Sequence, residues 1–371
     1  MTLDIAWARG VDLSSLNSPS LLLGLEPIER NLRTMLAIAG SPARLRPHVK
    51  THKLGWLVRR QIELGINFFK CATIAEAEMC AQAGASDVLI AFQLVGPNIG
   101  RLLALREKYP QTAFSSIVDD GGALRALADA ARSANERVEV LLDLDVGQHR
   151  TGIRPGPEAV SLYREMAATA SLAAGGLHAY DGHLTQSEPE VRAAACEEAF
   201  APVAALRQEL LDLGLPVPRV VAGGSPTFPM HAARQNVQCS PGTCVLWDAS
   251  YAGKLADMDF SVAAVLLTRV VSRPGVNLLC LDLGHKAVAS EMPHPRVVFP
   301  DLPDARYVTH SEEHLVVESA AAARFPLGAP LLGVPWHVCP TLALHAEAAL
   351  VDGGAVRGSC RIEARARKIT L

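Results

Sequence analysis

Two lysines, two histidines and an arginine fall within eight residues, Arg46-Pro47-His48-Val49-Lys50-Thr51-His52-Lys53. They overlap a short apolar run, Leu45–Val49, and precede a helical pattern through Leu54, Leu57, Val58 and Ile62. The cluster therefore stands where a strand ends and a turn begins, which in α/β proteins is where ligands bind. A lysine held there against a carbonyl compound forms a Schiff base when a desolvated pocket or a cationic neighbour keeps its amine neutral. A solvated basic turn has the same composition, so the surrounding elements must decide.

Those elements read as alternating strands and helices. Short apolar runs lie at Ser20–Leu23, Leu45–Val49, Phe68–Cys71, Val88–Phe92, Phe114–Val118, Val138–Leu142, Gly176–Ala179 and Val220–Ala222. Helical patterns such as Ile74–Ala83, Ala123–Ala134 and Val191–Leu213 separate them. The alternation implies a parallel sheet, and eight units match the size of a closed (β/α)8 barrel of TIM type. After Gly224 short runs punctuated by Pro and Gly replace the alternation. We read residues 18–247 as the barrel and 248–371 as a C-terminal, mainly β domain that residues 1–17 join.

A barrel places its chemistry at the C-terminal ends of its strands, and four polar clusters fall there. Lys50 ends the second run. Asp143-Leu144-Asp145-Val146-Gly147-Gln148-His149-Arg150-Thr151-Gly152 follows the sixth, His178-Ala179-Tyr180-Asp181-Gly182-His183 ends the seventh, and Gly223-Gly224-Ser225-Pro226-Thr227 follows the eighth. Gly224, Ser225 and Thr227, with Gly242 and Thr243 in Ser240-Pro241-Gly242-Thr243, offer backbone N–H groups and hydroxyls that suit a phosphate; two ordinary turns read the same way. His337 and Cys339, one residue apart, would project to one face of a strand. An imidazole and a thiolate favour zinc, leaving positions open for water and substrate, although a buried cysteine beside a turn histidine has the same spacing.

Arg-Pro-His-Val-Lys-Thr-His-Lys resembles the lysine motif of the D-threonine aldolase / D-serine dehydratase family, and the likeness returns at Pro335-Trp336-His337-Val338-Cys339-Pro340-Thr341. The family uses pyridoxal phosphate (PLP) on an alanine-racemase-like barrel. The resemblance implies that Lys50 is the Schiff-base lysine, with Lys53 flanking it. Arg150 would bond the PLP phenolate, Tyr180 would pack on the ring, and the two glycine turns would hold its phosphate. His183 would be an acid or base near substrate, and His337 and Cys339 would carry a divalent metal, zinc or the harder manganese. The implied activity is lysis of small D-β-hydroxy-α-amino acids. The expected form is the D-threonine aldolase reaction, giving glycine and an aldehyde. The His-x-Cys pair points instead to D-serine or D-3-hydroxyaspartate dehydratase, giving a keto acid and ammonia, since aldolases carry aspartate in the cysteine's place. A racemase, or a non-catalytic PLP-binding protein, would need no metal. A homodimer is the implied assembly.

Composition excludes other classes. The net charge of −3 gives no attraction for nucleic acid or an acidic membrane. No apolar run reaches membrane-spanning length, and the first ten residues carry no secretory pattern. Eight cysteines without a CxxC pair suit reduced thiols in a cytoplasm. Borohydride should remove a visible absorption band from the purified protein and fix the adduct on Lys50. Peptide mapping that places it on Lys53, with Lys50 unmodified, would refute the assignment.

Overall fold

A computed structural model describes residues 3–371; residues 1 and 2 of the expected N-terminal addition lie outside the described residues. The chain divides into two compact units, one of residues 36–242 with 367–371, the other of residues up to 35 with 243–366.

Strand β1, Ser20–Gly24, belongs to the second unit. The first unit holds a parallel sheet of seven strands in sequence order: β2 Phe68–Cys71, β3 Asp87–Gln93, β4 Ala113–Val118, β5 Val138–Leu144, β6 Leu172–Ala179, β7 Val220–Ala222 and β8 Val237–Cys239. Each of β2 to β7 is followed by a helix that buries apolar residues. In Gly121–Ser133 these are Leu124, Leu127, Ala128 and Ala131, and the Asp120 carboxylate caps the start by accepting from Ala123 N. The eighth stave is the run that carries the basic cluster. Leu45 bridges Cys239 of β8 and His48 bridges Lys70 of β2, both in parallel. Backbone bonds from Arg46 N to Cys239 O and from Val49 N to Lys70 O, at 2.8 Å each, support the closure. The barrel architecture expected from the alternation is present, with a different set of strands.

The difference has a physical cause. Ser20–Leu23 was expected as the first stave. As β1 it instead pairs antiparallel with β9, Ala264–Gly275, and parallel with β15, Glu347–Asp352. Leu21, Leu22 and Leu23 are buried on both faces there. A central strand of either sheet reads as a continuous apolar run, so periodicity does not separate them. The true last stave, β8, is three residues with a polar Gln238 at its centre, too short to register. The barrel unit thus starts later than residue 18.

The second unit is a nine-stranded mixed sheet. Between β9 and β15 lie β10 Leu278–Leu281, β11 Val297–Val298, β12 Arg306–His310, β13 Leu315–Glu318 and β14 Pro330–Pro335, and β16 Ala355–Arg361 follows. Its main path runs β12-β13-β10-β9-β1-β15-β16, with β14 pairing β9 and β11. Leu22, Val265, Leu267, Val334 and Val351 share its core.

Arg46 ties the closing stave to its neighbours. Its guanidinium is fully buried; it donates to Asp87 Oδ1 at 2.7 Å, to Gln238 Oε1 at 2.9 Å and to Phe69 O at 3.2 Å. Asp87 also accepts from Arg219, which reaches Glu139 at 2.7 Å. Removing one member of a buried ionic network leaves the others underpaired. Arg46→Met should lower barrel stability by about 3 kcal/mol, read as a shift in the urea midpoint; an unchanged midpoint would show that the network does not hold the closure.

Candidate active site

The basic cluster is much less basic than it reads. Burial, with Lys50 and Lys70 beside it, holds His48 well below the ordinary histidine range. Burial and Lys53 push His52 down to about 3. Both rings are therefore neutral acceptors: His48 Nδ1 takes the N–H of Lys50 at 3.3 Å and His52 Nδ1 takes that of Leu54 at 3.1 Å. They staple the turn that presents Lys50. Lys53, at φ +56°, points elsewhere and pairs with buried Glu76, which also caps Ala72 N at 2.7 Å. Of the two lysines, only Lys50 lines the barrel cavity.

Around Lys50 the barrel floor is polar. The cavity is lined by Lys50, Lys70, Asp143, Arg150, His178 and Tyr180, among others. Three cations surround the Tyr180 ring, with Lys50 Nζ 5.2 Å, Lys70 Nζ 5.5 Å and Arg150 Cζ 5.1 Å from its centroid. Gly182 makes room for that ring, since a Cβ there would lie 2.0 Å from the Tyr180 hydroxyl. Arg150 is delivered by a loop folded on Asp145, whose carboxylate accepts from Gly147 N and His149 N at 3.0 Å each and meets His149 Nδ1 at 2.8 Å. Gly152 closes the loop at φ +97°, where a Cβ would strike the Asp145 backbone at 2.4 Å.

Lys70, Asp143 and His178 form a chain that the sequence reading did not single out as site residues. Asp143 Oδ1 meets His178 Nδ1 at 2.6 Å, and His178 Nε2 meets Lys70 Nζ at 3.4 Å. All three are buried. Burial, with Lys50 close by, pulls the Lys70 ammonium down to about 7 against the pull of Asp143 and Asp181. The available signal was a lysine inside the apolar run Phe68–Cys71, because a lysine in a strand core needs a reason to be there.

The first glycine turn lies against the same ring. A Cβ on Gly224 would sit 3.2 Å from Tyr180 Cε2, and one on Gly242 would sit 3.1 Å from both His48 O and Thr51 Oγ1. Ser225 Oγ accepts from Gly242 N at 3.1 Å, joining the two turns. Two hydroxyls expected there act elsewhere. Thr227 Oγ1 donates to Asp181 Oδ1 at 2.7 Å and accepts from Gly224 N at 3.3 Å, so it braces the loop from behind. Thr243, in the second unit, has its hydroxyl 3.6 Å from Cys339 Sγ. His183 does not line the Lys50 cavity. It lines a neighbouring depression that also contains Asp145, and its buried Nδ1 has no hydrogen-bond partner among the described residues.

Two groups among the described residues carry metal-ligand types, and one of them brings three donors together. Asp181, Cys196 and His231 are buried, with donor atoms within 4.8 Å of one another. Here Asp181 Oδ2 and His231 Nε2 are hydrogen-bonded at 2.7 Å, and Arg234 Nη1 lies 4.0 Å from Cys196 Sγ. Burial would raise the Asp181 carboxyl, but the bonds from His231 and Thr227 outweigh it and hold it low. That arrangement is a brace for the Gly223–Thr227 turn. The second group is in the β unit. His337 and Cys339 are not on a strand, as the alternate spacing suggested; they open the helix Val338–Leu344, with His337 at its cap. His337 Nδ1 meets Glu291 Oε1 at 2.5 Å. Burial alone would lower the imidazole, yet Cys339 and Glu291 raise it to about 9. Asp248, pushed up to about 6 by burial, accepts from Val338 N at 3.1 Å. The imidazole and the thiol are donor types that suit zinc, but among the described residues they are not part of a group of three donors within 4.8 Å of one another.

A lysine, further cations and a tyrosine ring at the mouth of a parallel barrel fit an alanine-racemase-like architecture. Residues 23–248 match the family model for the alanine racemase N-terminal domain, and residues 263–351 match that for a serine dehydratase domain. The chain is 31% identical to a D-threonine aldolase of Arthrobacter sp. over 96% of its length and 94% of the relative's. It is 30% identical to a 3-hydroxy-D-aspartate aldolase of Paracoccus denitrificans, covering 98% and 96% of the two chains. The crystal structure of D-threonine aldolase from Filomicrobium marinum superposes with a TM-score of 0.88 at 32% identity, over 96% of this chain and 98% of that one. The chain belongs to the D-threonine aldolase / D-serine dehydratase family of PLP-dependent lyases.

The cavity fits PLP: an amine for its aldehyde, cations for its phenolate and phosphate, and an aromatic ring with the Gly224 turn against it. Gly242→Val tests the turn: Gly242 lies outside the left-handed region, and the new Cβ would press on His48 O and Thr51 Oγ1 beside Lys50. It should weaken PLP binding to the apoprotein at least tenfold, measured by titrating the visible band, while the circular dichroism spectrum stays unchanged. Unaltered affinity would show that PLP does not approach Gly242.

Proposed function

We propose that this chain cleaves D-β-hydroxy-α-amino acids by the retro-aldol route of a D-threonine aldolase, giving glycine and an aldehyde. The observation that carries the reading is the Lys50–Arg150–Tyr180 cavity in a chain that aligns with a D-threonine aldolase over nearly all of its length. PLP, when bound, supplies the electron sink. The chain's residues do the rest. Lys50 Nζ would hold the cofactor and, once the Cα–Cβ bond has broken, return a proton to the α-carbon of glycine. Arg150, placed by the Asp145 loop, neutralises charge on the ring oxygen. Gly224, Ser225 and Gly242 position the phosphate. His183, from the neighbouring depression that it shares with Asp145, is the candidate base for the proton of the substrate's β-hydroxyl.

A divalent ion held by His337 and Cys339, zinc by the softness of the pair, supplies a Lewis acid for the β-oxygen. The cysteine keeps a second outcome open, β-elimination to a keto acid and ammonia by a D-serine or 3-hydroxyaspartate dehydratase; a D-threo-3-hydroxyaspartate dehydratase of Delftia sp. is 27% identical over 93% of this chain. A homodimer in the cytoplasm completes the reading. In support, the eight cysteines are all free, and no helix among the described residues is long and apolar enough to cross a membrane.

Product analysis decides the reaction. D-Threonine should yield glycine and acetaldehyde, and chelation should abolish turnover; pyruvate from D-serine at a higher rate would put the dehydratase first. Cys339→Ser should keep the visible band and the fold while activity falls about a hundredfold, a few kcal/mol of Lewis-acid assistance. Full activity of Cys339→Ala after exhaustive chelation would remove the metal from the reaction and favour a racemase.

A further inference from the structure

Lys70 is a lysine in the core of a parallel strand, 1% exposed. An ammonium has three N–H donors. Among the described residues Lys70 Nζ has one hydrogen-bonding neighbour, His178 Nε2 at 3.4 Å, besides the face of Tyr180. Asp143 fixes the polarity of that contact. With its carboxylate on His178 Nδ1 at 2.6 Å, the imidazole carries its proton on Nδ1 and turns an accepting Nε2 toward Lys70. The ring is kept neutral, since burial outweighs Asp143 and lowers its pKa. The chain Asp143–His178–Lys70 thus orients an ammonium whose remaining donors face the cavity that Lys50 also lines. Burying such a group with one long contact is costly unless something else fills its donors.

We propose that Lys70 is a further cofactor-binding residue, a cation that contacts bound PLP and opposes a proton on the nitrogen joining Lys50 to it. Asp143 and His178 are its positioning residues. The inference rests on the reading of Lys50 as the PLP lysine. An anionic cofactor fills the unused donors, and its negative charge stabilises the ammonium, which burial and Lys50 alone leave titrating near neutrality. The charged and titratable groups around Lys70 come from every side: Arg46, His48 and Lys50 on the closing stave and its turn, Asp143 on β5, His178 on β6, and Tyr180, Asp181 and Arg150 on the loops above. The two cations on the closing stave repel Lys70, and the two carboxylates attract it. Removing Lys70 deletes a positive charge near the Lys50 nitrogen, so a proton there becomes easier to hold.

The test uses full-length protein stripped of cofactor and reconstituted with PLP. Lys70→Met should weaken PLP binding at least tenfold, and the pH midpoint of the visible band should move upward by about one unit. Lys70→Arg should keep the midpoint within a few tenths of a unit of wild type, and Asp143→Asn should weaken PLP binding by less than Lys70→Met does. If Lys70→Met does not fold, Lys70→Arg carries the midpoint reading and Asp143→Asn the affinity reading. A folded Lys70→Met with wild-type affinity and midpoint overturns the proposal, as does a wild-type response in Asp143→Asn when Lys70→Met is lost. Wild-type protein that takes up no PLP would overturn the reading of Lys50 and this inference together. Wild-type uptake with an indifferent Lys70 would overturn this inference alone.

Discussion

The buried guanidinium of Arg46 is the contact on which the barrel unit depends. A sheet of seven parallel strands has two open edges, each a row of unpaired backbone groups. Here an irregular segment lies between them, bound by single bridges rather than by a full ladder. Arg46 compensates by reaching β2, β3 and β8 at once through Phe69 O, Asp87 and Gln238. Four residues later the same segment presents Lys50. Closure of the barrel and placement of the reactive amine are therefore one event, and an error in the first displaces the second.

The opposite end of the barrel is organised by a surplus of positive charge. Lys50, Lys70 and Arg150 converge on one tyrosine ring, while the nearby histidines are held neutral by burial and used as acceptors. Such an arrangement is unfavourable by itself and becomes favourable with an anionic ligand in place. The glycines beside it act by what they lack, leaving space against His48, Thr51 and Tyr180. Behind them, Asp181, His231 and Thr227 form a fully buried brace that holds the turn without entering the cavity.

Helix capping orders the second unit's candidate metal pair as well. Asp248 accepts from Val338 and from Tyr251, so one buried carboxylate anchors the starts of two helices, one of which opens on His337 and Cys339. Glu291 adds a carboxylate to His337. Two side chains two positions apart at one helix start cross-link nothing, so an ion held there would serve chemistry and not folding.

The sequence by itself determined the parallel barrel and the family and singled out Lys50, because strand–helix alternation and the motif around that lysine are local patterns that survive without coordinates. It also pointed to Arg150 and Tyr180, since strand ends in a barrel share one face. Only the tertiary structure decided which eight segments are the staves: Ser20–Leu23 and Val220–Ala222 are alike as apolar runs, and the partners across the sheet separate them. It likewise turned Thr227 to Asp181, tied Lys53 to Glu76 and left His183 in a neighbouring depression. Lys70 was hidden for the same reason. A lysine in an apolar run gives no sign of its direction, and the meeting of β2, β5 and β6 at one depth brings it to His178 and Asp143, residues 108 and 73 positions away along the chain. Local chemistry is written in residue types and spacing, but which charges face each other is set by how the strands close.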